Sequence, residues 1–426
     1  MRVTDRAAGE FSAATREISD IGGADDAATA EFGAPVAVWA RGEDRLLAFG
    51  VAHRVVSSGA RRIREAADAW RALIAGARID DPLRLPGTGL IALGAFAFAD
   101  GSATPSTLVV PRRVVGRRDG VAFVTDIGGH GDPAAPAAPA TAPGDRFARA
   151  DYEAAVSAAV ARIRNGGLEK VVLARDLALE VPPGFDVTGA LRVLRRRYRD
   201  AWTFAVDGFF GASPETLATV HGNAVTARVL AGTAARDDDP VVDASARDAL
   251  LASPKNRFEH ALAVDSLLLT LGGMVDDLTL GRPFALGLPN VWHLATDATA
   301  LLTDGRTALD LVDALHPTAA VAGAPRDAAL ALIEELEPFD RGRYAGPVGW
   351  IGATGDGEWA IGLRSAQIET PDRVRAYAGA GIVAGSVAKS ELAETGWKFA
   401  PVLEALGLPL SAATGPRAGS DPVAVP

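Results

Sequence analysis

The residues of this chain best placed to do chemistry are lysines and glutamates in apolar, glycine-rich surroundings. Lys170 lies in LEKVVLARDLAL, where a period of two puts it on one strand face with Leu168, Val172 and Ala174. A lysine on an apolar face loses hydration, and its pKa falls toward the range of a general base. At a strand end the same residue can instead reach out to water. Glu215 follows a Gly-x-Ser-Pro turn in FFGASPETLATV, just ahead of a strand. A carboxyl fixed there could stay protonated and donate to a leaving group, or simply cap the turn. Glu259 lies in the helical stretch SPKNRFEHALAVDSLLLTL, where Leu262, Ala263, Ser266 and Thr270 share its face without another charge. Turned inward, that carboxylate needs a cation beside it; at the edge of an amphipathic helix it needs none.

A second acidic helix comes late in the chain, in YAGAGIVAGSVAKSELAETGWK. Val374, Ala376 and Ala378 alternate as a strand, and Gly379, Gly381 and Gly385 let the backbone turn and approach a ligand closely. Glu391, Glu394, Thr395 and Lys398 follow at i, i+3, i+4 and i+7, one polar stripe of a helix. Two like charges one turn apart repel unless a cation sits against them. The same spacing describes a solvated face carrying an ordinary Glu394–Lys398 pair. With Glu259, the stripe makes a set of carboxylates without His or Cys, which suits Mg2+, a hard, oxygen-loving ion. Gly379-x-Gly381-x-x-Ala384 also fits a dinucleotide fingerprint, but that reading needs further βαβ units and an acidic ribose partner downstream, where the sequence turns into a Pro/Ala/Gly tail.

Three more positions draw notice. Arg364 ends the run WAIGLRSAQI, and an arginine fork suits a substrate carboxylate. Tyr344 opens YAGPVGW. On pattern alone, surface pairing or packing is the preferred account of both. His293 in VWHLAT reads as a core histidine with a backbone partner before it reads as a ligand.

These residues need a scaffold, and composition bounds it. The chain has 426 residues, 48% of them hydrophobic, enough for a large core, and its net charge of −10 argues against a nucleic-acid binder. The absence of cysteine removes disulfides, thiol catalysis and Cys-based metal sites together. No two of the histidines make HExxH, and no G-x-S-x-G accompanies them. The first residues lack an apolar signal core, and Leu90 to Ala99 is too short to span a bilayer, so a soluble cytoplasmic protein without nucleic-acid or membrane partners is expected.

Along the chain, residues 1–33 are polar and expected to be partly disordered. PVAVWAR, DRLLAFGVA, GLIALGAFAFA, STLVVPRRVVGRRDG and VAFVTD read as strands, with a helix over Arg61 to Arg78. Residues 128–145 form a Pro/Ala-rich surface loop. Phe147 to Asn165 is helical, Leu168 to Val181 a strand, and Arg236 to Leu271 an acidic loop leading into one long helix. VWHLATDATALL is strand-like, Ala328 to Glu337 a short helix, and Tyr344 to Arg364 a pair of strand runs. Residues 34–410 are expected to form one catalytic domain, with 411–426 a disordered tail. Strands in sequential runs with interspersed helices argue for an α+β class.

Taken in order, LEKVVLAR, FFGASPETL, LAGTAAR, SPKNRFEHALAVDSL, VWHLAT, LHPTAAVAGAPRDAAL, RGRYAGPVGW, GDGEWAIGLRSAQI and AGAGIVAGSVAKSELAETGWK resemble the chorismate-utilising enzymes, and among them the isochorismate synthases. The resemblance is good from Phe147 to Leu408 and weaker in LLAFGVAHRV and GLIALGAFAF. It implies one large α+β domain, with two antiparallel sheets packed face to face and helices outside. It implies a substrate, chorismate, that gains water at ring C2 and loses its C4 hydroxyl in a Mg2+-dependent isomerisation, feeding menaquinone or siderophore synthesis.

Residue by residue, the resemblance makes Lys170 the general base and Glu215 the general acid. Glu259 and Glu394 become the metal ligands, with Glu391 reaching the metal through water. Lys398 helps hold the ring carboxylate, and Tyr344 and Arg364 grip the enolpyruvyl carboxylate. Gly232, Gly379 and Gly381 line the pocket, with His293 beside the ring. Lys170 fits relatives whose nucleophile is water, and Ala320 and Val321 in HPTAAV fit isochorismate synthases rather than salicylate synthases or amine-adding enzymes. Ala319 departs from the Pro of many relatives. No amidotransferase subunit is expected, and a monomer is preferred. A salicylate synthase, which would go on to eliminate pyruvate, is the alternative reading; an inactive anion-binding relative is a distant one.

Overall fold

The computed structural model of the chain describes residues 10–19, 29–129, 131–135, 144–182, 185–303 and 305–414. Its centre is the long strand Ser106–Arg118, STLVVPRRVVGRR, most of whose side chains are buried. One edge pairs with Asp44–Ser57; the other is shared between Val121–Gly128 and Ile91–Ala95. Two arms of sheet grow from it.

The first arm runs through Ala37–Arg41, Trp202–Val206, Phe209–Ser213, Ser365–Thr370, Arg373–Ile382 and Lys170–Glu180 to the short Gly323–Ala324. The second runs through Pro347–Gly352, Gly357–Ile361, Thr216–His221 and Ala224–Ala235 to Val291–Leu302. The far edge of Val291–Leu302 takes Val275–Leu280 and Phe284–Gly287. Among the described residues every pairing is antiparallel except Ser12–Glu17 with Arg78–Asp80.

The arms face each other across one core. Trp39, Leu173 and Phe204 of the first arm belong to the same buried cluster as Leu217, Trp350 and Trp359 of the second. Apolar area removed from water on both inner faces holds the layers together, and one polar tie fixes their relative position. The buried Glu358 carboxylate accepts from Trp39 Nε1 at 2.8 Å, Trp350 Nε1 at 2.9 Å and Arg118 Nη1 at 2.9 Å. A buried charge so fully paired specifies how the layers dock. The helices Val187–Arg197 and Ala388–Ala405 cover the outer face of the first arm, where Leu191, Leu194, Phe399 and Val402 meet Phe210, Ala366 and Ala376. Pro254–Leu271 buries Ala263, Leu267 and Leu271 in the inner core. No helix among the described residues is long and apolar enough to cross a membrane.

The α+β class and the antiparallel layers packed face to face are as expected, with the two layers hydrogen-bonded into one sheet because Ser106–Arg118 serves both arms. Elsewhere the structure adds to or corrects the expectation. Within the N-terminal segment, expected to be partly disordered, Ser12–Glu17 pairs with Val121–Gly128 and Phe11 and Ala13 are buried, while residues 1–9 and 20–28 lie outside the described residues. Ser411–Thr414 is a helical turn whose Ala413 carbonyl accepts from Arg149 and Arg175; residues 415–426 lie outside the description. Of the 128–145 loop, residues 130 and 136–143 lie outside it too. The long helix ahead of Leu271 is two, Pro240–Ala252 and Pro254–Leu271. Pro254 cannot supply the N–H that would carry the first onward, and Ser253 Oγ instead caps the second by accepting from Asn256 N at 3.3 Å.

Candidate active site

A narrow cleft of about 50 Å³ opens where the Lys170–Glu180 and Arg373–Ile382 strands approach Ala224–Ala235 and Val291–Leu302. Glu215, Gly232, Glu259, His293, Ala320, Val321, Tyr344, Arg364, Gly379, Gly381, Glu394 and Lys398 all line it. They come from positions as far apart as 215 and 398, which only the folded sheet can gather. Lys170 stands immediately behind this wall, fully buried, with Nζ 3.1 Å from Glu259 Oε1. The contact is close but not an aligned hydrogen bond among the described residues. Glu391 turns instead to an adjoining outer cleft that shares Thr233 and Glu394 with the first.

The acidic stripe therefore does not face water. Glu391 is 2% exposed and Thr395 0%, because Ala388–Ala405 packs on both sides, and Thr395 Oγ1 accepts from the buried Arg175. Each carboxylate has its own lysine: Glu394 accepts from Lys398 at 2.6 Å, Glu391 from Lys255 at 2.7 Å, and Glu259 lies against Lys170. Burial, and then the Glu394 charge, push the Glu391 carboxyl up. That repulsion is what an added cation would relieve, and all-oxygen donors on two helices fit a hard divalent ion in chemical type. Among the described residues no three acidic or histidine side chains converge into a ready-made metal centre. Lys255 and Lys398 are counter-charges in this arrangement, and Lys170 lies against Glu259.

Glu215 sits between Phe209–Ser213 and Thr216–His221, 4% exposed. Burial pushes its carboxyl up to about 8, although the Leu230 backbone N–H and the charges of Lys170, Arg364 and Lys398 pull the other way. At neutral pH it holds a proton beside the cleft, as a general acid must.

Arg364 donates from Nη2 to His293 Nε2 at 2.8 Å. A guanidinium only donates, so Nε2 is the unprotonated nitrogen and the His293 proton resides on Nδ1. That nitrogen lies 3.3 Å from the Gly232 carbonyl and 3.1 Å from Thr233 Oγ1. Burial, reinforced by Arg364 and Lys398, holds the imidazole well below its usual range, so it is neutral. His293 thus has the backbone partner expected of a core histidine and also lines the cleft. Arg364 Nε is buried with no protein partner among the described residues, a donor ready for an anion. The residue sits at φ 49, and this uncommon left-handed conformation turns it out of the sheet line toward the cleft. Tyr344 stacks on Tyr377 with ring centroids 5.3 Å apart, and burial raises its hydroxyl to about 12, so it stays a neutral donor.

Lys398 Nζ also donates to the Gly379 carbonyl at 2.9 Å. The glycines are there for space. A Cβ on Gly381 would fall 2.1 Å from Glu259 Oε1 and 3.1 Å from Lys170 Cε. Gly381→Ala must therefore displace the Glu259 carboxylate. Overpacking of this kind costs about 1–3 kcal/mol of folding stability, so the unfolding midpoint should fall, and the misplaced Glu259 carboxylate should lower kcat/KM about 5- to 150-fold. Steady-state kinetics beside a urea titration checks both.

Sequence reasoning missed Arg341 and Lys255. Lys255 stands one helical turn before Glu259, a spacing that already aims both at one side. Arg341 lies four residues after Glu337 in a turn with no regular period, and only the fold shows it lining the cleft.

The chain as a whole is similar to known proteins. A family model described as chorismate binding enzyme matches residues 130–407. The isochorismate synthase DhbC of Bacillus subtilis is 40% identical over 271 residues, 61% of this chain and 68% of that one. The isochorismate synthase EntC of Escherichia coli is 37% identical over 263 residues, 60% of this chain and 67% of its own. The solved structure of MenF, the menaquinone-specific isochorismate synthase of Escherichia coli, superposes with a TM-score of 0.76 at 26% identity, over 95% of this chain and 96% of that one.

Proposed function

Because the chain belongs to the family of chorismate binding enzymes, we propose that it is an isochorismate synthase, an isomerase that exchanges the C4 hydroxyl of chorismate for a hydroxyl at C2. The observation that carries this reading is Glu215, a protonated carboxyl with a pKa of about 8 lining the same cleft as Glu259, whose carboxylate lies against the buried amine of Lys170.

In the proposed reaction Lys170 takes a proton from water as its oxygen bonds to C2. The ring double bonds shift, the C4–O bond breaks, and Glu215 gives its proton to the departing hydroxyl. One water enters and one leaves, so no redox partner or amine donor is needed, and no amidotransferase subunit. Tyr344 and the free Arg364 Nε–H are suited to the enolpyruvyl carboxylate, with His293 fixing the guanidinium. Glu259 and Glu394 would hold Mg2+, with Glu391 beside them; when bound, the ion supplies positive charge to the ring carboxylate. Lys398, already bonded to Glu394, would share that load.

Ala320 and Val321 give the cleft an apolar wall, which supports release of isochorismate over further elimination to salicylate. The step is common to the menaquinone and siderophore routes. Purified protein incubated with chorismate and Mg2+ is expected to yield isochorismate by chromatography, and excess EDTA to stop its formation. Salicylate with pyruvate, or turnover indifferent to EDTA, would overturn the reading.

A further inference from the structure

Two arginines line the cleft, and their hydrogen bonding separates them. Arg364 keeps a free donor. Arg341, 3% exposed, spends its guanidinium on protein: Nε donates to Glu337 Oε2 at 2.8 Å, Nη2 to Glu337 Oε1 at 2.5 Å and to the Val172 carbonyl at 2.7 Å, and Nη1 to the Val321 carbonyl at 3.0 Å. Glu337 in turn accepts from Ala174 N at 2.7 Å.

These bonds lie where a strand ends. Gly323–Ala324 pairs with Val171 and Lys170, and Val172 N reaches the Ala322 carbonyl at 2.8 Å. Beyond that point no strand among the described residues pairs with this edge of Lys170–Glu180. The Val172 carbonyl and the Ala174 N–H would be buried without partners, a costly state. Arg341 and Glu337 supply the missing donor and acceptor, as a neighbouring peptide would. The same guanidinium then holds Val321, so one rigid fork sets the distance between the Lys170 strand and the wall formed by Ala320 and Val321.

We propose that Arg341, locked by Glu337, is a positioning residue that completes the sheet edge beside Lys170 and fixes the Thr318–Ala324 wall against it, thereby setting where the attacking water sits. The proposal rests on the isochorismate synthase reading for its kinetic consequence; its structural half does not.

The test uses Arg341→Lys and Glu337→Gln in the full chain. Lysine keeps the charge and the pairing with Glu337 but cannot reach Val172 and Val321 together. Expected for Arg341→Lys is a kcat lowered at least 30-fold, a KM within threefold of the parent, and faster hydrogen exchange at Ala174 and across 318–324. Glu337→Gln, which keeps the shape but loosens the fork, is expected to fall between. A KM rise with kcat unchanged would mean that Arg341 binds substrate directly and would overturn the proposal. So would parental kcat and parental exchange in Arg341→Lys. If the parent itself gave no isochorismate, the functional reading would fail, while the exchange pattern would still decide the positioning role. If Arg341→Lys does not fold, Glu337→Gln read the same way decides.

Discussion

Glu215→Gln is expected to lower kcat about 10²- to 10⁴-fold, the usual contribution of a positioned general acid, while leaving chorismate affinity within a few-fold. The amide fills the same volume between Phe209–Ser213 and Thr216–His221 and still accepts from the Leu230 N–H, but it has no acidic proton to give. The parent's pH profile carries the same signature. The carboxyl is protonated below about 8, so turnover falls as pH rises through that value, and the limb is absent from the residual activity of Glu215→Gln. The sign for stability follows from the same shift. The folded protein binds this proton more tightly than the unfolded chain, whose carboxyl titrates near 4.5. Its contribution to stability is therefore full below pH 4.5 and declines as pH rises toward 8. Glutamine escapes that loss, so the variant should be more stable than the parent at pH 8, by on the order of 1–3 kcal/mol. A rate profile from pH 6 to 9.5 with paired denaturation curves tests both; a variant retaining a tenth of parental kcat would remove Glu215 from the reaction.

That shift could not be read from the sequence. FFGASPETL shows a glutamate after a tight turn, and a capping role explains it as well; the upward shift comes from burial, against the pull of Leu230, Lys170 and Arg364, and all of these are set by distant strands. The acidic stripe misleads in a similar way. Glu394 and Lys398 at i, i+4 look like a surface pair, and nothing local tells that Ala388–Ala405 is packed on the side carrying Thr395. What local pattern does fix is the strand character of LEKVVLARDLAL and VWHLATDATALL, and the close approach at Gly379 and Gly381. Period two and absent side chains are properties of the segment itself. The expectation of one long helix through Pro254 passes over a local signal, since a Ser-Pro pair marks a helix start. The joining of the sheets has no such signal, because it depends on how two strands divide one edge of Ser106–Arg118. Motif order carries the rest: weak signals at Lys170, Glu215, Glu259, Arg364 and Glu394 gain meaning only together, and the fold gathers all but Lys170 onto one cleft wall.

Lys170, behind that wall, is the position where charge and proton transfer must be told apart. Its amine is fully buried, touches Glu259 Oε1 at 3.1 Å, and makes no aligned hydrogen bond within the described residues. Two roles fit this contact: a base that accepts a proton from water, or a fixed counter-charge for Glu259. Lys170→Met removes both and is expected to lower kcat about 10²- to 10⁴-fold. It also costs stability, because Glu259 is left half-compensated in a buried setting. Lys170→Arg separates the roles. A guanidinium supplies the charge but does not give up a proton in proteins. If the amine is the base, the arginine variant is as inactive as the methionine variant while recovering much of its lost stability. If the amine only balances Glu259, Lys170→Arg should keep turnover within about tenfold, the cost of a misfitted side chain, equivalent to about 1.4 kcal/mol. The proposed mechanism requires the first pattern, and single-turnover rates of the two variants, measured beside their urea midpoints, would show which one holds.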